Sequence, residues 1–189
     1  MRITAGQWKN HRLTPPKGTA TRPTTEKLRQ AVFNSLQGEI EGSLFLDLFA
    51  GSGAMGLEAL SRGAQAATFV ENNSLALRAI RANISKLGAT KQTRLLPLHV
   101  TKALKLLANE KQRFTLIYAD PPYRQYDCAQ LITDLDNLRL LSQGGTLIIE
   151  TTSERLNLSL DSLHLTRHRS LKETYLHYYC VSSSFNRLT

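Results

Sequence analysis

The sequence predicts an α/β fold built on a mostly parallel, seven-stranded sheet with helices on both faces. Short runs rich in β-branched and aromatic residues alternate with longer segments whose apolar residues recur at helical spacing. That alternation is typical of parallel, doubly wound sheets. Segments 162–168 and 175–181 alternate polar and apolar residues, which predicts a closing antiparallel pair of strands. Residues 1–13 alternate loosely around Gly6-Gln7, and we expect a small N-terminal β-hairpin there.

The individual elements follow from the apolar runs and from the residues that interrupt them. The first helix is predicted to begin at a cap, Thr24 or Thr25, and to end at Gly38. Gly63 and Gly88 end the next two helices in the same way. The predicted strands before the final pair are 44–49, 66–70, 94–100, 114–118 and 146–149, and the later helices are 54–60, 74–87, 102–107 and 129–141.

The formal net charge of +9 is concentrated at the two ends of the chain. Residues 1–30 hold seven Lys or Arg against one Glu, a net of +6, and residues 163–189 hold four against one, a net of +3. Residues 31–162 hold thirteen of each sign. Positive ends on a neutral body favour a polyanionic partner, nucleic acid first, although a solvated basic surface would give the same pattern.

The composition argues against several classes of protein. With 189 residues, 41% of them hydrophobic and 21% charged, the chain suits one globular domain with a short appendage. No stretch approaches the roughly 18 apolar residues that cross a bilayer, and no apolar segment follows the basic N-terminus as in a secretory signal. Cys128 and Cys180 lack metal-ligand spacing, so we expect no metal site and reduced thiols in a cytoplasm.

The sequence Asp120-Pro121-Pro122-Tyr123 closely follows the predicted strand 114–118. The prolines lack N–H groups and end the strand, so the segment lies at a carboxyl strand end, where open parallel sheets bind ligands. The Asp120 carboxylate and the Pro121 carbonyl could orient a nucleobase amine and stabilise the positive charge that grows as it attacks an electrophile. Tyr123 could stack on the base. The alternative is an ordinary turn, because Asp-Pro and Pro-Pro are common in loops.

A glycine turn at residues 51–56 matches the G-x-G-x-x-G dinucleotide fingerprint, and Glu71 lies where a ribose-binding acid is expected. One interpretation is therefore a nicotinamide or flavin enzyme. Asp47 inside the preceding strand, together with the Asp120 segment at the same sheet edge, favours S-adenosylmethionine instead. An acid at that position suits an ammonium group, whereas a pyrophosphate prefers bare N–H groups at a helix start. A tight turn without a ligand is the remaining alternative.

Together these motifs resemble the S-adenosylmethionine-dependent amino-methyltransferases of nucleic acid, and more narrowly the RsmD family. The matching motifs are Arg2-Ile3-x-x-Gly6-x-Trp8-Lys9, Arg22-Pro23-Thr24, Phe33-Asn34-x-Leu36, Asp47 to Gly63, Glu71, and Asp120 to Tyr123. The resemblance runs from residue 1 to about residue 150. It implies a Rossmann-like methyltransferase fold, S-adenosylmethionine as methyl donor, and methylation of the exocyclic N2 of one guanine in small-subunit ribosomal RNA.

The resemblance also implies roles for individual residues. The implied cofactor-binding residues are Asp47, Ala50, Gly51, Ser52, Gly53, Glu71, Asn72, His99 and Val100. Asp120, Pro121, Pro122 and Tyr123 would hold the flipped guanine. The implied RNA-binding residues are Arg2, Trp8, Lys9, Arg12, Arg22 and Thr24, although Trp8 could equally anchor the hairpin to the domain. At His99 the chain departs from many methyltransferases of this fold, which carry Asp or Asn near the adenine; His99 could equally be a plain polar residue at a strand end. At Asn10-His11 relatives often have Gly-Arg.

By the same resemblance, residues 1–38 form a basic RNA-gripping extension and residues 39–189 form the catalytic domain. The expected partner is ribosomal RNA or an assembling small-subunit particle. We expect the protein to be a monomer in the cytoplasm and not to bind a membrane. Two rivals remain open. One is methylation of adenine N6 in DNA or RNA by the same Asp120 segment. The other is a non-catalytic RNA-binding factor of ribosome assembly.

Overall fold

A computed structural model of the chain describes residues 1–16, 25–122, 126–171 and 174–181. Its helices are α1 (Glu26–Ser35), α2 (Ala54–Ser61), α3 (Ser74–Lys86), α4 (Val100–Asn109) and α5 (Cys128–Asn137), with a 3-10 turn at Thr90–Gln92. The strands are β1 (Leu44–Leu48), β2 (Ala66–Val70), β3 (Thr93–Leu96), β4 (Phe114–Ala119), β5 (Leu141–Thr151), β6 (Leu163–Leu171) and β7 (Thr174–Val181).

The strands form one seven-stranded sheet in the order β3-β2-β1-β4-β5-β7-β6. Strands β1 to β5 are parallel, and β7 runs antiparallel between β5 and β6. The predicted fold class is thereby confirmed. The chain moves outward from β1 through β2 to β3, and then crosses back to β4 on the other side of β1. Ligands of open α/β sheets bind at such a reversal, so the carboxyl ends of β1 and β4 mark the expected site.

Two hydrophobic clusters cover the two faces of the sheet. One cluster joins the N-terminal segment, α1, α2 and α3 to the face from which Phe45, Tyr118 and Tyr178 project, here called the N-terminal face. The other joins α4 and α5 to the opposite face, from which Leu46 and Ile117 project. Successive residues of a strand point to opposite faces, so strands buried on both sides read as continuous apolar runs in the sequence.

The predicted N-terminal hairpin is reduced to a single antiparallel bridge between Arg2 and Arg12. The Ile3 N–H donates to the His11 carbonyl at 2.9 Å, and the Ile3 carbonyl accepts the Asn10 N–H at 2.9 Å. One residue on the first side thus faces two on the other, a bulge-like arrangement that stops the ladder from continuing. Asn10 has a φ of 68°, a left-handed conformation that Asn tolerates better than most residues.

The predicted third strand, 94–100, was too long at its carboxyl end. Strand β3 ends at Leu96 because Pro97 follows it and has no N–H to give to a ladder. His99 is therefore not a strand residue, and it takes the N-cap position of α4 without a side-chain cap bond.

The predicted helix 129–141 was also too long. Helix α5 ends at Asn137, and Arg139 adopts a φ of 48°, which a continuing helix does not allow. Strand β5 then begins at Leu141 and includes Gly144-Gly145. A Leu-rich sequence satisfies a buried helix and a buried strand equally well, so the left-handed residue sets the boundary.

A buried carboxylate, that of Glu58, ties the N-terminal segment and α1 to α2. Its Oε2 accepts the Thr4 N–H at 2.8 Å and Arg29 Nε at 3.1 Å. Its Oε1 accepts the Thr4 hydroxyl at 2.6 Å, the Ala5 N–H at 3.0 Å and Arg62 Nε at 2.8 Å. Glu58 and Arg29 are both fully buried, and hydrogen bonds to both oxygens offset the cost of burying the charges.

The N-terminal segment also packs backbone to backbone on the end of α2. The Gln7 N–H donates to the Ser61 carbonyl at 2.8 Å. A Cβ at Gly6 would lie 1.7 Å from that same carbonyl oxygen, so only glycine allows the approach. The Trp8 N–H donates to Ser61 Oγ at 3.0 Å, and the Trp8 ring, half-buried, packs against the core.

We expect Glu58→Gln to destabilise the fold strongly. The amide removes the charge that compensates buried Arg29, and its NH₂ group would face N–H and O–H donors. Breaking a buried ion pair from one side costs about 3–5 kcal/mol. Urea unfolding followed by circular dichroism measures the free energy of unfolding, and a loss below about 1 kcal/mol, the range of surface pairs, would contradict the assignment.

Glu110→Gln is the matched control for this measurement. Glu110 binds Arg94 at 2.5 Å, and this hydrogen bond lowers the pKa of the Glu110 carboxyl. Both side chains are solvent-accessible, so water replaces the lost partner. We expect Glu110→Gln to change the free energy of unfolding far less than Glu58→Gln.

Candidate active site

The glycine turn and the Asp120 segment leave the sheet side by side. Strands β1 and β4 are parallel neighbours, and Leu48 at the end of β1 pairs with Ala119 at the end of β4. The next residues along the two strands are Phe49 and Asp120. Residues that lie 71 positions apart in sequence therefore share one sheet edge, as parallel pairing at the reversal point requires.

Close packing explains the glycine turn that precedes α2. The Ala50 N–H donates to the Val70 carbonyl at 3.0 Å, and the Gly53 N–H donates to the Ala50 carbonyl at 2.7 Å. A Cβ at Gly56 would lie 2.4 Å from the ring of Phe69. The third glycine of the fingerprint is thus required because α2 packs directly on β2, which is the role of that position in dinucleotide folds.

Asp47 lies behind the glycine turn, buried in the N-terminal face. Its Oδ2 accepts the Gly56 N–H at 2.9 Å, so the carboxylate holds the first turn of α2. Burial raises the pKa of Asp47 to about 7; the Gly56 hydrogen bond opposes the shift, and the nearby charge of Glu71 adds to it. Asp47 therefore titrates near neutral pH, unlike an ordinary surface aspartate.

Glu71 joins the end of β2 to the glycine turn. Its Oε2 accepts the Gly51 N–H at 2.8 Å, and its Oε1 accepts the N–H groups of Asn72 and Asn73 at 2.8 Å each. Each carboxylate oxygen has two lone pairs, so these bonds leave acceptor capacity for a ligand. Asn73 in turn caps α3 through its side chain.

A cleft of about 190 Å³ opens beside Glu71 at this sheet edge. Among the predicted site residues, five line it together: Glu71, Asn72, His99, Val100 and Pro122. Its other walls are Phe49, Val70, Leu98 and Tyr126, none of which the sequence singled out. Asp47, Ala50, Gly51, Ser52 and Gly53 are not part of that lining and lie in or behind the adjoining turn.

Two aromatic rings missed by the sequence analysis shape the cleft. Phe49 and Tyr126 meet edge to face, with ring centroids 5.0 Å apart, and the His99 ring lies 6.1 Å from that of Tyr126. The Tyr126 and Thr101 hydroxyls are 3.3 Å apart. Phe49 has a φ of 62°, and a bulky residue in that conformation directly after a strand was the available signal. Tyr126, which follows the Asp120 segment by a few residues, gave no comparable signal.

The Asp120 segment forms the adjoining rim. Asp120 is half-buried, Pro121 is buried, and Pro122 is exposed and forms a wall of the cleft. Tyr123 lies outside the described residues. Beneath the rim, the Tyr118 hydroxyl donates to Glu150 Oε2 at 2.9 Å. Burial raises the pKa of Tyr118 well above its usual value, and the charges of Asp120 and Glu150 raise it further, so this phenol stays protonated as a donor.

The predicted RNA-binding residues that the structure describes lie together on the N-terminal segment. Arg2 and Arg12 line a shallow depression of about 370 Å³ with Met1, Leu13 and Glu26, and Arg2 pairs with Glu26 at 3.3 Å. Lys9 is exposed. Trp8 is half-buried against the core, so it also anchors the segment. Arg22 and Thr24 lie outside the described residues.

Asn83, a buried residue of α3, connects this segment to the glycine turn. Its Oδ1 accepts the Thr14 N–H at 2.8 Å, and its Nδ2 donates to the carbonyls of Thr14 and Ser52 at 3.0 Å each. One amide group thus fixes both the N-terminal segment and the glycine turn. In the sequence, Asn83 is one polar residue within an amphipathic helix. Its hydrogen bonds to Thr14 and Ser52 cannot be predicted from that pattern.

Within the described ranges, no group of three or more His, Cys, Asp or Glu side chains is arranged to hold a metal ion. No helix in the same ranges is long and apolar enough to span a bilayer.

Comparison with known proteins places the chain among methyltransferases. The family described as conserved hypothetical protein 95 matches residues 1–180. YlbH of Bacillus subtilis, named as a candidate rRNA methyltransferase, is 35% identical over 176 residues, which cover 93% of this chain and 94% of YlbH. Ribosomal RNA small subunit methyltransferase D of Escherichia coli is 34% identical over 154 residues, which cover 82% of this chain and 76% of that protein.

The fold agrees with a solved relative as well. The structure of yhhF from Escherichia coli, named as a candidate methyltransferase, superposes with a TM-score of 0.83 at 30% identity and covers 97% of this chain and 98% of yhhF. The Rossmann-like methyltransferase fold expected from the motifs is confirmed. The chain therefore belongs to the conserved hypothetical protein 95 family, which is the RsmD family of S-adenosylmethionine-dependent methyltransferases.

Proposed function

We propose that this protein transfers a methyl group from S-adenosylmethionine to the exocyclic N2 of a guanine in small-subunit ribosomal RNA. One observation carries the proposal: the Asp120 segment and the glycine turn leave the same edge of the sheet, and the cleft opens beside them. The names of YlbH and of methyltransferase D support ribosomal RNA as the substrate. Residues 1–38 would grip the RNA, 39–189 would carry the reaction, and the enzyme would work in the cytoplasm.

The residues of the cleft fit S-adenosylmethionine. Glu71 retains one lone pair, on Oε2, for a ribose hydroxyl. Phe49 and Tyr126 offer aromatic walls for the adenine beside His99 and Val100. Asn72 lies at the same wall. The turn formed by Ala50, Gly51, Ser52 and Gly53 would approach the amino-acid end of the cofactor. The buried Asp47 carboxylate behind that turn would face the ammonium group, directly or through a water molecule.

The protein contributes to the reaction by positioning and by accepting hydrogen bonds. S-adenosylmethionine supplies a methyl carbon bound to a sulfonium, from which the guanine nitrogen displaces a neutral thioether. The Asp120 carboxylate and the Pro121 carbonyl accept the two N2 hydrogens and so point the nitrogen lone pair at that carbon. They also stabilise the positive charge that grows on the nitrogen. The alkylated amine is acidic and then releases one proton to Asp120 or to water.

Nucleoside mass spectrometry of ribosomal RNA from cells lacking this protein tests the proposal. We expect one N2-methylguanosine to disappear from the small-subunit RNA and to return when the purified protein and S-adenosylmethionine are added. Loss of a methylated adenosine would instead identify the adenine-N6 enzyme, and unchanged RNA would support a non-catalytic factor.

We expect Asp120→Ala to lower methyl transfer by at least about a hundredfold, the range for removing one oriented acceptor from a transition state. Single-turnover assays with radiolabelled cofactor and saturating RNA measure the chemical step. Calorimetric titration of the same variant should show a cofactor Kd close to the wild-type value, because Asp120 is not part of the cleft lining. Asp120→Asn, which keeps one acceptor oxygen, should retain more activity than Asp120→Ala. Near-normal turnover of Asp120→Ala would refute the role.

Cofactor binding should tighten as the pH rises toward neutrality. With the pKa of Asp47 at about 7, the unliganded carboxyl is mostly protonated below that pH, and an ammonium group favours its ionised form. Binding then releases a proton, so Kd should fall about tenfold per pH unit below the pKa. Calorimetry between about pH 5.5 and 6.5 keeps the cofactor's own α-amino group protonated. Asp47→Asn should remove this dependence.

The stability of the unliganded protein should change in the opposite direction. The folded-state pKa of Asp47 lies above the ordinary value of 3.8, so protonation favours the folded state. The stabilisation is complete below the unfolded-state pKa and is lost as the pH rises through about 7. If the free energy of unfolding varies with pH as described but the cofactor Kd does not, Asp47 does not face the ammonium group.

A further inference from the structure

Strand β6 is an edge strand with an unusual composition for its position. It pairs with β7 on one side only, and residues 164–170 are all exposed. Its sequence holds His164, Arg167, His168 and Arg169 and no acid. Charged side chains protect sheet edges from pairing with other chains. That role alone does not explain why one of these basic residues shares a strand row with Asp120.

The strand register places Arg169 in the same row as Asp120. Ala119 pairs with Ile149, so the next row joins Asp120 to Glu150. Glu150 pairs with Leu176, and Leu176 pairs with Arg169. Residues in one row project from the same face, so Arg169 and Asp120 both belong to the N-terminal face. Three strand spacings separate them, about 14 Å, which a few nucleotides can span.

Arg167 occupies the neighbouring row on the same face. Tyr118 pairs with Ile148, which pairs with Tyr178, and Tyr178 pairs with Arg167. The Arg167 guanidinium lies over the Tyr178 ring, 4.1 Å from its centroid, and donates to the Ser35 carbonyl at 3.5 Å. A guanidinium has five N–H donors, so these contacts orient the group and leave donors for a phosphate.

The basic N-terminal segment lies on this face too, but on the other side of Asp120. It bonds to α2 through Glu58 and to α3 through Asn83, and these helices cover the half of the sheet that contains β1 and β2. Strand β6 is at the far edge of the opposite half. The N-terminal segment and β6 therefore lie on opposite sides of the Asp120 rim. Glu150, between Asp120 and Arg169, is buried and accepts the Tyr118 hydroxyl.

We propose that Arg167 and Arg169 form a second RNA contact that binds phosphates on the side of the reaction centre opposite the N-terminal segment. The proposal rests on the proposed function, because it takes RNA as the occupant. A single-stranded stretch would run along the rim at the carboxyl ends of the parallel strands, with its backbone held at both flanks and one base directed at Asp120. Phosphates suit arginine because its planar guanidinium binds two oxygens at once.

The double variant Arg167→Gln/Arg169→Gln tests this contact, with Lys111→Gln/Arg113→Gln as the matched control. Both variants remove two positive charges, and Lys111 and Arg113 are exposed at the amino end of β4, away from the rim. The measurement is binding of a small-subunit RNA fragment, without turnover, over a series of salt concentrations. The β6 variant should bind about tenfold more weakly, and its slope of log Kd against log salt should drop by about 1.4, or 0.7 per lost phosphate contact. The control should keep the wild-type slope.

Arg169→Gln alone excludes a folding defect, because it leaves the contacts of Arg167 with Ser35 and Tyr178 intact. It should give about half the change in slope, with wild-type melting and cofactor binding. Equal slopes for wild type, the β6 variant and the control would overturn the proposal. This outcome differs from failure of the proposed function, in which the wild-type protein binds RNA but methylates no guanine.

Discussion

Helix α2 is fixed by two buried carboxylates, and the rest of the site depends on its placement. Asp47 holds the first turn through the Gly56 N–H, and Glu58 binds the N-terminal segment and two arginines at the helix's middle. All eight residues of α2 are buried, so no face of the helix can adjust toward water. The glycine turn therefore starts from a fixed helix end, and its geometry is built before a ligand arrives, which lowers the ordering cost of binding.

The same packing makes the N-terminal segment and the glycine turn parts of one unit. Asn83 bonds to Thr14 and to Ser52, while Met1 Sδ lies 3.7 Å from Ser52 Oγ. A displacement of the segment would therefore disturb the turn directly, through a buried amide whose hydrogen bonds are costly to break. In the proposed function, RNA binding and cofactor binding would therefore be coupled, and the coupling free energy would act equally in both directions.

The sequence predicts the fold well because burial on both faces leaves a simple signature, runs such as Leu44 to Phe49 between amphipathic helices. It predicts the rim because prolines stop a strand. It predicts the ends of strands and helices poorly where local signals compete. The apolar run after Arg94 continues past Pro97, although the proline ends the strand, and Leu140 suits a helix and a strand alike. It cannot predict Phe49 with Tyr126, or Glu58 with Arg29, because these pairs come from different elements and depend on their packing in space.

The charges around the site also explain how one protein handles a cationic cofactor and a polyanion. Asp47, Glu71, Asp120 and Glu150 all lie at the carboxyl ends of β1, β2, β4 and β5. In the proposed function, this acidic edge would attract a sulfonium and an ammonium group and repel phosphates. The basic residues of the N-terminal segment and of β6 lie outside this edge. In the proposed function, RNA phosphates would be favoured at these flanks, and a neutral base would be the part of the RNA that enters. In the proposed reaction, methyl transfer removes the sulfonium charge, so the acidic edge would hold the spent cofactor less strongly than the fresh one, which would favour its release.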